Sequence, residues 1–283
     1  MKDGILYIDK DKGLTSRYVD NRLQKFFQKE KVGHLGTLDP FATGLLIVAV
    51  GRATKYLPYL ADGKKGYIAS LRLGYSSTSG DPDGEISSDS HPIPKLTAES
   101  IVLALSSFRG KRTQIPPMTS AIKIDGVPLY KKARKGETVE RKPREIEIYE
   151  IRLLNFGPDF IDFSCLVSKG TYIRTLGEDI AKRLGTSGYL TTLRRVSVGP
   201  VSLAKAKKLE DVSEADFHDP STMMGNFPQI ELDQKENEKA QNGVALPFAN
   251  HSEERLYLTY QGTGVAMYVR SPDGLYHCER GLR

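Results

Sequence analysis

Asp39 lies in a segment punctuated by glycines, Val32-Gly-His-Leu-Gly-Thr-Leu-Asp-Pro-Phe-Ala-Thr-Gly44. A carboxylate in an irregular loop, directly before an apolar run, sits where a rigid scaffold can present it to a cleft. There it could act as nucleophile or base. Asp-Pro is equally a common turn pair in which the carboxylate bonds its own backbone. Arg174, in Lys169-Gly-Thr-Tyr-Ile-Arg-Thr-Leu176, is the second candidate. It falls in the first turn of a predicted helix, where the dipole disfavours a cation by a few tenths to about 1 kcal/mol. A carboxylate or phosphate partner would relieve this; so would a reach into solvent. Tyr172 beside it and Tyr67, in Lys64-Lys-Gly-Tyr-Ile-Ala69, can serve chemistry or simply pack. His34 is open to the same two readings.

The signatures of cofactor enzymes are missing. There is no Gly-x-x-x-x-Gly-Lys-Ser/Thr loop, no dinucleotide glycine fingerprint and no Gly-x-Ser-x-Gly elbow. Histidines at 34, 91, 218, 251 and 277 have no metal-ligand spacing, and Cys165 and Cys278 cannot build a disulfide framework. An enzyme of this composition is expected to work without metal or cofactor, through carboxylate, tyrosine and arginine.

Of 283 residues, 39% are hydrophobic and 27% charged, enough apolar material for a core and too little bias for a disordered or fibrous chain. The apolar run Leu45–Val50 is far shorter than the roughly 20 residues of a membrane span. The N-terminus lacks a signal-peptide core, so a soluble, cytoplasmic protein is expected. The net charge is +6, and it is local. Residues 109–145 hold eleven Lys/Arg against four Asp/Glu, while 228–283 hold six against eight. A local basic face fits phosphates, and it fits a solvated surface loop as well.

The elements that must position these residues are a strand at Ile5–Ile8, then a helix capped by Thr15 or Ser16 that carries Val19, Leu23 and Phe27. An irregular loop over 32–44, a buried strand at Leu45–Val50 and a strand at Gly66–Leu73 follow. Gly74–His91 is a predicted loop and Thr97–Phe108 an amphipathic helix. Arg144–Phe156 and Phe160–Ser168 pair through Gly157-Pro158-Asp159. A helix from Thr171 ends at Gly185. The chain from about 229 onward reads as a small all-β appendix. Without a βαβ rhythm the class is α+β.

Five segments in this order resemble the TruB family of tRNA pseudouridine synthases over roughly residues 3–210. They are Gly33–Leu45, the tyrosine at 67, Pro116–Lys123 continuing through Leu129–Arg134, Gly170–Leu176, and Leu193-Arg-Arg-Val-Ser-Val-Gly199. The resemblance implies a mixed, largely antiparallel catalytic domain over 1–228 and a small β-rich, PUA-like domain over 229–283. It implies isomerisation of the T-loop uridine (U55) of tRNA after base flipping, by a monomer without cofactor or metal. By position, Asp39 is the nucleophile, Tyr67 stacks on the base and helps at the C5 proton, and Arg174 pairs with Asp39. Tyr172 contacts the nucleotide or the aspartate network, Leu193 lines the base pocket, and His34 presses on the T loop. Lys12 matches a basic residue supporting the site, and Lys131, Lys132 and Arg134 grip the T-stem-loop within the basic segment. Two departures are Thr119, where the family usually carries an aromatic residue, and the acidic tail. On the same scaffold, a non-catalytic RNA-folding chaperone or a synthase acting on another RNA is the alternative.

A guanidinium beside Asp39 is expected to favour the anion and lower its pKa by about 1–3 units.

Overall fold

A computed structural model of the chain describes residues 3–28, 31–60, 63–88, 93–120, 122–124, 126–129, 132 and 136–283. Strand β1 (Gly4–Lys10) leads into the helix Ser16–Phe26, whose N-cap Thr15 accepts from the Tyr18 amide. Next come β2 (Val32–Leu35), β3 (Thr43–Val50) and β4 (Lys65–Leu73). Two small hairpins, β5 (Tyr75–Ser77) with β6 (Ile86–Ser88) and β8 (Lys123–Ile124) with β9 (Val127–Pro128), flank β7 (Gly110–Gln114). Long strands β10 (Arg144–Phe156) and β11 (Phe160–Val167) precede the helix Ile173–Arg183, β12 (Gly188–Val198) and β13 (Val201–Ser202). The tail holds β14 (Gln229–Glu231), β15 (Arg255–Tyr260), β16 (Thr263–Arg270) and β17 (Tyr276–Gly281).

Among the described residues, one nine-stranded sheet runs β1-β3-β12-β4-β11-β10-β7, with β2 on β3 and β13 on β12. Every pair is antiparallel except β3 with β12, so the expected α+β class with a mixed, largely antiparallel sheet holds. The parallel pair brings Arg195 opposite Gly44. Gly44 has φ +97°, and a Cβ there would collide with the Arg195 backbone, so only glycine permits the approach.

The apolar run in β3 follows from burial on both faces. Leu46, Val48 and Val50, with Leu6 and Ile8 of β1, enter the main core under the helix Ser16–Phe26. Leu45, Ile47 and Ala49, with Ile5 and Tyr7, face a second core that includes Tyr257, Met267 and Leu282 of the tail.

Three expectations need correcting. The segment 32–44 is not all loop: Val32–Leu35 pairs with Val50–Ile47, because its edge position against β3 satisfies the backbone despite Gly33. Gly74–His91 contains the β5–β6 hairpin, held by Ser77 and Ser79 hydroxyls on Asp81. The tail is β-rich rather than all-β, since Gln234–Gln241 is a helix with an Asp233/Glu236 capping box.

Candidate active site

The Asp39 loop is fixed by what lies under it. Ser16 Oγ donates to the Leu38 carbonyl at 3.0 Å and accepts from the Leu38 amide at 2.9 Å. The Gly13 amide donates to the Pro40 carbonyl. Lys10 Nζ, buried completely, donates to the carbonyls of Leu14 at 2.7 Å and Pro40 at 3.4 Å. The turn that Asp-Pro signals is present, with the Ala42 amide on the Asp39 carbonyl. The carboxylate is left free for a distant partner.

That partner is Arg174, whose Nε stands 2.9 Å from Asp39 Oδ2. The guanidinium is 3% exposed, so the reach into solvent is ruled out. Its NH1 lies 3.3 Å from Asp81 Oδ2 and donates to the Ser79 carbonyl and Thr119 Oγ1, while NH2 donates to the Thr119 carbonyl at 3.0 Å. Every side of the fork is occupied, and two carboxylates offset the unfavourable helix dipole. Gln114 clamps the helix start, accepting from the Tyr172 amide and donating to its carbonyl.

Asp39 opens on a cavity of about 230 Å³ lined also by Tyr67, Tyr172, Leu193, Lys65, Arg195 and Ser120. That is below the roughly 300–1,000 Å³ of drug-sized pockets and suits one nucleoside rather than a duplex. Tyr67 of β4 is 7% exposed and Leu193 of β12 is 6% exposed. Burial raises the Tyr67 phenol above its ordinary pKa, with Arg195 pulling the other way, so the hydroxyl stays protonated at neutral pH.

The Asp39 carboxyl is also raised above its ordinary value, contrary to the expected lowering. Burial is the main cause and the neighbouring Asp81 adds to it, together outweighing Arg174 and Lys10. A third of the side chain is open, at 34%, but it opens onto a narrow cavity, which solvates an anion poorly. Burial lowers Lys10 and Lys65 each to about 8.

The structure therefore unites Asp39, Tyr67, Arg174, Tyr172 and Leu193. His34 stands just outside, on β2, with Nδ1 2.8 Å from Asp20 Oδ2 and Nε2 3.1 Å from Thr37 Oγ1, and Thr37 lines the cavity. Lys12 is exposed, and the basic residue under the site is Lys10. Lys132 is half-buried, and Lys131 and Arg134 lie outside the described residues. Within the basic segment, Arg109, Lys111, Lys142 and Arg144 are exposed. Asp81, Lys65, Ser120 and Arg195 were missed. Arg195 had a signal, since alternate residues of a strand share a face and Leu193 was already assigned to the pocket. Among the described residues no group of three or more His, Cys, Asp or Glu is placed to hold a metal, and no helix is long and apolar enough to cross a membrane.

The scaffold is one seen in solved structures. A chain in the crystal structure of a Cbf5-Nop10-Gar1 complex matches with a TM-score of 0.77 at 22% identity, covering 99% of this chain and 85% of that one. A chain of the archaeal box H/ACA sRNP Nop10-Cbf5 complex matches with a TM-score of 0.74 at 20% identity, over 99% and 86%. The family model described as "TruB family pseudouridylate synthase (N terminal domain)" matches residues 24–173, and the "tRNA pseudouridylate synthase B C-terminal domain" model matches 174–224. Fold and sequence thus define a pseudouridine synthase. Among curated relatives, "tRNA pseudouridine synthase B" of Francisella tularensis subsp. tularensis (strain WY96-3418) is 46% identical over 231 residues, 82% of this chain and 76% of the relative. The protein of the same name from Francisella philomiragia subsp. philomiragia is 44% identical over the same shares. The chain belongs to the TruB family.

Proposed function

We propose that this enzyme isomerises the T-loop uridine of tRNA, U55, to pseudouridine, with Asp39 as nucleophile. The tRNA pseudouridine synthase activity follows from the family and its curated relatives. The assignment of roles rests on one observation: the Asp39–Arg174 pair opens on a tyrosine-lined cavity of nucleoside size.

The reaction breaks C1′–N1, turns the uracil and forms C1′–C5. N1 gains a proton and C5 loses one, so no oxidant or reductant is consumed. A carboxylate nucleophile divides one hard substitution into two easier steps. Burial that raises the basicity of Asp39 makes its anion more reactive, and Arg174 fixes its direction. A uridine inside a folded loop must first leave its stack, at a cost of a few kcal/mol. Stacking on Tyr67 returns about 1–3 kcal/mol, and Tyr172 and Leu193 complete the pocket. His34, tied to Asp20 and Thr37 at the cavity edge, is placed to press on the loop from which the base has swung. The exposed cations of the 109–145 segment, with Lys131, Lys132 and Arg134, grip phosphates of the T-stem-loop. RNA recognition of this kind uses shape and splayed bases.

Residues 1–228 form the catalytic unit in this reading and 229–283 a PUA-like unit. The enzyme works as a cytoplasmic monomer. The test is tritium release from an isolated T-stem-loop carrying C5-labelled uridine. The wild type should release label stoichiometrically from the target position and Asp39→Asn none; release from Asp39→Asn near the wild-type rate would remove Asp39 from the mechanism.

A further inference from the structure

The charges around the cavity do not balance. Arg174 takes up both Asp39 and Asp81, with Lys10 beneath the loop. Nothing acidic is left for the other end, where Lys65 and Arg195 line the wall. Arg195 is 1% exposed and donates from Nε to the Leu45 carbonyl at 2.7 Å and from NH2 to the Gly36 carbonyl at 2.8 Å. Both groups crowd Gly36: a Cβ built there would lie 2.9 Å from Lys65 Nζ and 3.3 Å from Arg195 NH1. Among the described residues, no carboxylate lies within ion-pair distance of Lys65 or Arg195. Two cations held together in a closed space without a counter-ion are costly, and proteins normally pair such charges.

We infer that Lys65 and Arg195 form the subsite for the phosphodiester attached to the everted uridine, with Lys65 as the residue that meets the phosphate. Lys65 and Tyr67 are two apart on β4 and share its cavity face, so a nucleoside stacked on the tyrosine carries its phosphate toward the ammonium. Arg195 already gives donors to backbone carbonyls, which fixes it as a positive wall, while the Lys65 ammonium keeps its donors for the ligand. Burial beside Arg195 and Lys169 depresses the Lys65 ammonium, and a bound phosphate would relieve that penalty. Gly36, with φ +67°, leaves the room this end requires.

This inference rests on the reading of the cavity as the pocket for an everted uridine. The experiment measures equilibrium binding and single-turnover conversion of a T-stem-loop RNA by wild type, Lys65→Met and Lys65→Arg. The RNA is used in its natural form and with neutral methylphosphonate linkages flanking the target uridine. Lys65→Met should bind natural RNA roughly tenfold to a hundredfold more weakly, the range for a lost charged hydrogen bond. Its slope of log affinity against log salt should be shallower by about 0.7–0.9, one phosphate contact. The neutral linkage should weaken wild type by a similar factor and leave Lys65→Met unchanged, while Lys65→Arg keeps most of the affinity. Wild type binding the neutral linkage as well as natural RNA overturns the inference, and this arm does not depend on any variant folding. So does a Lys65→Met variant whose affinity is intact while turnover falls, which would place Lys65 on the uracil. If wild type converts no uridine in this RNA, the pocket reading fails, and this subsite with it.

Discussion

Asp81 and Arg174 lie 3.3 Å apart, Oδ2 to NH1, on side chains that are 6% and 3% exposed. The contact makes Arg174 a bridge between two acids, since its Nε already holds Asp39. Asp81 thus acts on the nucleophile twice. It anchors the guanidinium that aims Asp39, and its own charge raises the Asp39 pKa.

Asp81→Asn separates these effects. Removing the second negative charge lowers the Asp39 pKa, so the acid limb of the rate profile moves to lower pH. Loosening Arg174 lowers the maximal rate, by about tenfold or more. Single-turnover rates from pH 4 to 8 measure both; an acid limb left in place would mean that Asp81 exerts no field at Asp39.

Arg174→Lys should fail to rescue Arg174→Ala. The fork serves two carboxylates and three oxygen acceptors on Ser79 and Thr119, which a single ammonium cannot match. Stranding buried charge costs about 3–5 kcal/mol, so urea unfolding of Arg174→Ala should show a loss of that order together with at least about 10³-fold lower turnover.

Asp39→Asn should abolish turnover yet leave the protein no less stable at pH 7. The native state holds the Asp39 proton more tightly than the unfolded chain does. Its contribution therefore favours the fold below about pH 4 and is lost as the pH rises through the raised value. Asparagine lacks that loss. Melting curves should place the variant at or above wild type at neutral pH, with the gap closing as the pH falls toward 3; a variant markedly less stable at pH 7 contradicts the raised value.

Tyr67→Phe should bind the stem-loop nearly as wild type, since the ring survives. Tyr67→Ala should lose about 1–3 kcal/mol of binding and, with a buried aromatic gone, about 3–5 kcal/mol of stability. Filter binding at a temperature where both variants are folded decides; equal binding losses would exclude stacking.

The parts of the site lying in local motifs were legible. The glycine-punctuated loop marked Asp39, and the strained position of Arg174 at a helix start called for an anion. Asp81 was not legible, because it lies in a Ser/Gly/Asp/Pro stretch that reads as solvent-exposed. Only the β5–β6 hairpin folding onto the helix Ile173–Arg183 makes it buried. The sign of the Asp39 shift was missed for a related reason: a pairwise view counts Arg174 and overlooks both burial and the second acid. The helix Gln234–Gln241 has almost no apolar periodicity, and only its Asp233/Glu236 capping box announced it. Lys12 entered through the resemblance alone, and the inward turn of Lys10 beneath the Asp39 loop is set by tertiary packing that no local motif signals.

The second core joins Ile5, Tyr7, Leu45 and Ile47 of β1 and β3 with Tyr56, Tyr59 and Met223 and with Tyr257, Met267 and Leu282 of the tail. The tail therefore completes a core that the rest of the chain begins. A chain cut after residue 228 would keep every reacting group and lose the three tail side chains that share this core with Tyr56, Tyr59 and Met223. The tail thus contributes to the packing of the fold before any hold on RNA is counted.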